Sequence, residues 1–174
     1  NLGGISELGK VAEAARAARI PIRVGVNSGS LEKDLLEAHG HPTPAALAES
    51  ARRHCRALEA MGFGDIKVSI KASDVCTTVA ANRCFAADTD YPLHLGVTEA
   101  GTAANGVVKS AVGIGALLLD GIGDTLRVSL TAPPEEEVRA GIRILEATGR
   151  REAQPDLVSC PTCGRTAVDL IGLV

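Results

Sequence analysis

Apolar residues recur along this chain in two alternating periods. Over residues 5–19 they fall at helical spacing, with Leu8, Val11, Ala14 and Ala15 on one stripe. Residues 21–27, PIRVGVN, switch to strict alternation, bounded by Pro21 and by Ser28-Gly29. A polar stretch with Gly40, Pro42 and Pro44 follows. Thr43-Pro44 sets a capping residue before a proline at the first helical position. The helix this predicts runs through Leu47, Ala51, Cys55, Leu58 and Met61 to a stop at Gly62. Strand 65–74, helix 74–87, strand 92–101 and helix 103–119 come next, and GIGDT (121–125) turns the chain into a strand over 126–131. Pro133-Pro134 with Glu135, Glu136 and Glu137 open another helix, acidic where the helix dipole favours it. Val138, Ile142 and Leu145 are its expected buried stripe and Gly149 its stop, before a short strand over 156–160.

Strand starts near 21, 65, 92, 126 and 156 give, after a longer first unit, a spacing of about 30 residues, the length of a βα unit. Repeated βα units make a doubly wound sheet or a (β/α)8 barrel. A whole barrel takes about 250 residues. The expectation is an α/β chain whose residues 1–155 form the C-terminal half of a TIM barrel, about its last four βα units. Residues 156–174 would begin something else.

The strands are two-faced. Arg23, Gly25 and Asn27 oppose Ile22, Val24 and Val26; Lys67, Ser69 and Lys71 oppose Ile66, Val68 and Ile70. His94, Gly96 and Thr98 oppose Leu93, Leu95 and Val97; Arg127, Ser129 and Thr131 oppose Leu126, Val128 and Leu130. The aliphatic face should pack on the helices. The other is polar, small in its middle and cationic, whereas a barrel interior is ordinarily filled with branched apolar side chains. Unpartnered interior cations are costly. A multiply anionic ligand is their natural counter-charge, since Arg and Lys are the usual phosphate clamps. The competing reading is an antiparallel sheet with a solvated polar face, against which stand the helices that follow every strand.

Composition narrows the function. Apolar residues are 45% and charged residues 22%, a globular balance, and the formal net charge of −3 excludes a generally basic nucleic-acid binder. Phe63, Phe85 and Tyr91 are the only aromatics, so an aliphatic core is expected, and their scarcity argues against a base-stacking platform. No apolar run approaches the ~18 residues that cross a bilayer, so no membrane role is expected. Five cysteines, with Cys55, Cys76 and Cys84 scattered in helices, suit a reduced, cytoplasmic protein without a signal peptide. The start at Asn1 and the end at Val174 suggest a piece of a longer chain.

Asn27, Lys71, Glu99 and Thr131 fall at strand C-termini, where barrel active sites are built. Lys71 suits a phosphate ligand, a structural ion pair or a Schiff-base nucleophile. Glu99 is either an acid–base group or a solvated loop carboxylate. His94 reads as a satisfied core histidine, and His39, His41 and His54 as surface residues. The glycines between Gly113 and Gly123 match no phosphate-loop pattern and suit close helix packing and a tight turn. Cys160-Pro-Thr-Cys163 brings two thiols onto one turn, half a zinc or iron–sulfur site or two incidental thiols.

The set PIRVGVNSGSLEKDLLEAHG, IKVSIKASD, PLHLGVTEAG, GIGDTLRVSLTAPP and SCPTCGR, in this order, resembles the 4-hydroxy-3-methylbut-2-enyl diphosphate synthase family over essentially the whole chain. The resemblance implies a (β/α)8 barrel followed by a small α+β domain with a 4Fe-4S cluster. It implies a homodimeric oxidoreductase of non-mevalonate isoprenoid biosynthesis. Such an enzyme reductively opens 2-C-methyl-D-erythritol 2,4-cyclodiphosphate with electrons from reduced flavodoxin or ferredoxin. By the same resemblance Arg23, Asn27, Lys71, Arg127 and Ser129 bind the substrate diphosphate, Glu99 is the active-site carboxylate, and Cys160 and Cys163 are two of the cluster ligands. The remaining ligands, a cysteine and a glutamate, and the first four barrel strands have no counterpart in these residues, so the 174 residues alone are expected to hold no stable cluster and to be inactive. A Schiff-base aldolase using Lys71 and a non-enzymatic zinc knuckle are the rival readings.

Overall fold

The structure is a computed structural model that describes residues 5–152, 158–159 and 163–173. Helix α1 (Ile5–Ala18) leads into strand β1 (Ile22–Asn27). After a 3-10 turn at Ser28–Ser30 come α2 (Lys33–His39), α3 (Pro44–Ala60), β2 (Ile66–Lys71) and α4 (Val75–Ala86). Then follow β3 (His94–Leu95), α5 (Ala103–Leu119), β4 (Thr125–Leu126), α6 (Pro134–Ala147) and the short α7 (Leu170–Leu173).

The four strands run parallel and lie side by side in chain order. β1 pairs with β2 from Ile22–Ile66 to Asn27–Lys71, and β3 with β4 at His94–Thr125 and Leu95–Leu126. A parallel bridge between Val68 and Leu93 joins the two pairs, and the amide of Thr98 donates to the carbonyl of Ala72 at 3.2 Å. The alternating apolar positions do their expected work: Val24, Val26, Ile66, Val68, Ile70, Leu93, Leu95, Val97 and Val128 are all buried. All of these but Val97 share one core with Leu47, Ala51, Cys55 and Leu58 of α3, Phe85 of α4 and Ile114 and Leu117 of α5. The other face is open at Arg23, Gly25, Asn27 and Arg127. Sequential parallel strands with helices on one face only are the wrapping of a barrel, whereas a doubly wound sheet buries both faces.

Local chemistry sets the helix starts. The Thr43 hydroxyl accepts from the amide of Ala46 at 3.1 Å with Pro44 as first residue of α3, and the Asp74 carboxylate caps α4 through Thr77 at 2.6 Å. At Gly113 of α5 a β-carbon would stand 2.8 Å from Val97 Cγ2, so this glycine lets the helix lie close on the strand layer.

Several expectations are corrected. The strands expected over 92–101 and 126–131 pair as ladders only at His94–Leu95 and Thr125–Leu126, with one further bridge from Thr102 to Thr131. The stretch read as merely polar before Thr43 holds α2, whose Leu35 is buried against the core. In α1 the buried small residues are Ala12 and Ala15, while Ala14 is exposed. In α6 the buried residues are Ala140, Gly141 and Ile144, and Val138 is 61% exposed. Small residues decide that face: a β-carbon on Gly141 would meet Leu126 Cδ1 at 3.3 Å, so the helix turns its slimmest side inward. Of the strand expected over 156–160, Asp156, Leu157 and Cys160 lie outside the described residues, and Val158 and Ser159 carry no regular structure.

Candidate active site

The register stacks the polar face into rows. Arg23 lies beside Lys67, Gly25 beside Ser69, and Asn27 beside Lys71. Carried across the Val68–Leu93 bridge and the pairing of β3 with β4, the middle row continues through His94 to Thr125, and the upper row through Gly96 to Arg127. Glycine and serine hold the middle of this face, so the long cationic side chains have room to lie across it.

Lys71 is the buried member, 6% exposed at the last residue of β2. Its burial pushes the ammonium down to about 8, and the nearby Arg127 and Arg23 guanidiniums push in the same direction. Among the described residues neither Lys71, Arg23, Lys67 nor Arg127 forms an ion pair with a carboxylate. Arg127 instead donates from Nε to the Ser129 hydroxyl at 3.0 Å. Among the described residues positive charge is therefore concentrated without a paired counter-charge, in a protein whose overall charge is negative.

The backbone on both sides of Lys71 is clamped from behind. Thr78 of α4 receives the amide of Ala72 at 3.0 Å and donates to the Ala72 carbonyl at 3.1 Å. Asn82, one turn further on, donates to the Ile70 carbonyl at 2.9 Å. Both side chains are essentially inaccessible to solvent. Sequence reasoning passed over these two. Their signal was a pair of hydrogen-bonding residues four apart on the same helix stripe as the apolar Phe85.

The family profile described as the GcpE TIM-barrel domain matches residues 1–142. This chain belongs to the GcpE family. Its GcpE relatives include proteins named 4-hydroxy-3-methylbut-2-en-1-yl diphosphate synthase (flavodoxin). That of Geobacter sulfurreducens is 58% identical over 99% of this chain and 50% of its own length. That of Thermodesulfovibrio yellowstonii is 54% identical over the whole of this chain and 50% of its own length, and that of Fusobacterium nucleatum 56% identical over 99% and 49%. The chain thus spans about half the length of the curated relatives it matches.

In this GcpE domain the structure brings Arg23, Lys71, Arg127 and Ser129 to one face, with Asn27 beside Lys71 at the C-terminal edge of the strand layer. Glu99 is exposed on the turn after β3, at that same edge, with φ of 53°, a left-handed backbone that a glutamate rarely takes. His94 departs from its expectation. It is 8% exposed and meets the Thr125 hydroxyl through Nδ1 at 2.8 Å, but its Nε2 is buried with no partner among the described residues. Burial and the surrounding Lys71, Arg23, Arg127 and Lys67 charges hold the ring well below the usual histidine range, at about 4. Cys163 lies apart, exposed, on a turn whose Arg165 amide and Thr166 hydroxyl hold its thiol below the ordinary range. Cys160 lies outside the described residues, among which no three His, Cys, Asp or Glu side chains gather as a metal site. No described helix is long and apolar enough to cross a membrane.

Proposed function

We propose that this chain is the second half of a (β/α)8 barrel, residues 1–155, leading into the start of an iron–sulfur domain at 156–174. In the complete polypeptide it would convert 2-C-methyl-D-erythritol 2,4-cyclodiphosphate into 4-hydroxy-3-methylbut-2-enyl diphosphate. Two features support the half-barrel: the outer edge of β1 has no strand beside it among the described residues, and a cleft of about 500 Å3 lined by Leu8, Ile22, Val24 and Leu58 flanks it. The printed name of the relatives, with flavodoxin in it, supports the reaction and the electron donor. A ferredoxin donor, a homodimer and a cytoplasmic location belong to the same proposal.

The single observation that carries this reading is Lys71, buried beside two guanidiniums with no carboxylate paired to them among the described residues. Lys71, Arg127 and Arg23 would neutralise the diphosphate, with Asn27 and the Ser129 hydroxyl orienting its oxygens. Glu99 would hold the substrate hydroxyl or move its proton. The face is preorganised, because Thr78 and Asn82 fix the Lys71 backbone before any ligand arrives. The Cys163 turn fits a cluster ligand, since it favours the thiolate, the form that binds iron. Cys160 and Cys163 would be two ligands of a 4Fe-4S cluster, and such a cluster, when bound, supplies electrons and a Lewis-acidic iron. The relatives' names do not favour an aldolase or a zinc knuckle.

The test is turnover of the cyclic diphosphate by the complete, cluster-loaded enzyme with reduced flavodoxin. Lys71→Ala and Arg127→Ala should each lower kcat/KM by about 10²-fold or more, the effect of removing one preorganised charge-stabilising group. Wild-type activity in both variants would refute the assignment.

A further inference from the structure

The middle row of the polar face holds an unmet hydrogen bond. Of its members, Gly25 and Ser69 are small, and a β-carbon on Gly25 would touch nothing within 4 Å. His94 is the bulky side chain of this row, more than nine-tenths buried, with Nε2 unpartnered among the described residues. A buried ring nitrogen left without a partner is costly, and native structures rarely keep one idle. Burial first, and then the Lys71, Arg23, Arg127 and Lys67 charges, disfavour a second proton, so His94 is neutral and carries one N–H and one lone pair. The hydroxyl of Thr125, exposed at the rim, is able to donate to Nδ1. Nε2 then bears the hydrogen. A donor set among cations that pair with no carboxylate among the described residues calls for an oxygen that only accepts, and an anionic phosphoryl oxygen is one.

We propose that His94, oriented by Thr125, donates from Nε2 to a phosphoryl oxygen of the diphosphate held by Lys71 and Arg127 once the side chains that cover Nε2 give way to the entering anion, and so sets how deeply that group seats in the strand face. The inference rests on the anion site proposed above and adds to it a neutral donor of fixed direction. Cations attract any anion from any side. A neutral N–H on a locked ring selects one oxygen position and does not add to the repulsion among the unliganded cations.

The test uses the complete enzyme labelled with nitrogen-15 in histidine, with inorganic pyrophosphate as probe. The expected spectrum has His94 Nε2 protonated and Nδ1 not, and the Nε2 resonance moves on titration with the midpoint that calorimetry gives for pyrophosphate binding. Binding that leaves Nε2 in place, or an Nε2 without a proton, overturns the His94 contact while leaving the anion site standing. No binding to wild type, or binding untouched by Lys71→Ala, overturns the anion site and this inference with it. Kinetics add a second readout. A glutamine amide reaches toward the Nε2 position, whereas an asparagine reaches only the Nδ1 position. His94→Asn should raise KM for the cyclic diphosphate roughly tenfold, with kcat changed far less. His94→Gln should recover most of that loss, and equal behaviour of the two variants would refute the proposal.

Discussion

The Lys71 side chain lies across Gly96. A β-carbon at Gly96 would stand 3.1 Å from Lys71 Cε and 3.3 Å from Nζ, and 2.7 Å from the Arg127 carbonyl oxygen. The lysine end could swing aside, but the backbone oxygen could not. Gly96→Ala is therefore expected to push β3 from β4 and to move Lys71 off the face. A loss of about 1–3 kcal/mol is expected from such overpacking, read by thermal or urea unfolding. Pyrophosphate affinity, measured by calorimetry, should fall with it.

Anion binding should depend on pH through Lys71. The free ammonium sits at about 8, lowered by burial and by Arg127 and Arg23. A bound anion opposes those influences and raises it, so binding takes up a proton as the pH passes 8. Relative to Lys71→Arg, whose guanidinium stays charged, affinity for pyrophosphate in the unsubstituted protein should fall above pH 8, and the comparison cancels the ionisation of pyrophosphate itself. Stability moves the other way. Between about 8 and 10.5 the unfolded chain holds the proton and the folded one does not, so unfolding free energy rises across that window. A pH series of calorimetric titrations and melts checks both signs.

His94 supplies an acid-side counterpart. Its ring is held at about 4 against 6.5 when unfolded. As pH falls from 6.5 toward 4 the unfolded chain gains a proton that the folded one refuses, so stability declines. Melting curves from pH 7 to 4 should show a shallower decline in His94→Gln than in the unsubstituted protein. Identical slopes would mean that the ring titrates normally.

Glu99 holds a left-handed backbone, φ 53°, at the exposed turn after β3. For a residue with a β-carbon that conformation costs roughly 1–2 kcal/mol, which glycine does not incur. Glu99→Gly is expected to raise stability by up to about 1 kcal/mol while abolishing turnover. Glu99→Gln keeps the strain and should lose turnover without that gain. A glycine variant as active as the parent would remove Glu99 from the mechanism.

The thiols should separate by environment. Burial holds Cys55 up at about 11, whereas hydrogen bonds lower Cys163 at an exposed turn. In the folded, cluster-free protein at pH 7.5, iodoacetamide should label Cys163 well before Cys55, as followed by peptide mass spectrometry. Equal labelling would show that the Cys163 turn does not stabilise the thiolate.

Much of this was legible in one dimension, because a strand's faces follow from parity alone. Arg23, Lys67, Lys71 and Arg127 had to share a face opposite Val24, Val68, Ile70 and Val128 once the strands were placed. The Thr43-Pro44 and Asp74 helix starts are equally local, each set by side chains within a few residues. Parity does not encode depth. Lys71 is buried and Arg23 exposed on the same face, because depth depends on what neighbouring strands and Gly96 contribute from far along the chain. The inward side of α6 was misread for a related reason. Its Ala140 and Gly141 carry little hydrophobic signal, and only the closeness of Leu126 makes slimness matter more than greasiness. His94 shows the same division. Sequence alone put it on the cationic face, but its neutral state and its unmet Nε2 arise from charges and contacts that converge only when four distant segments lie side by side.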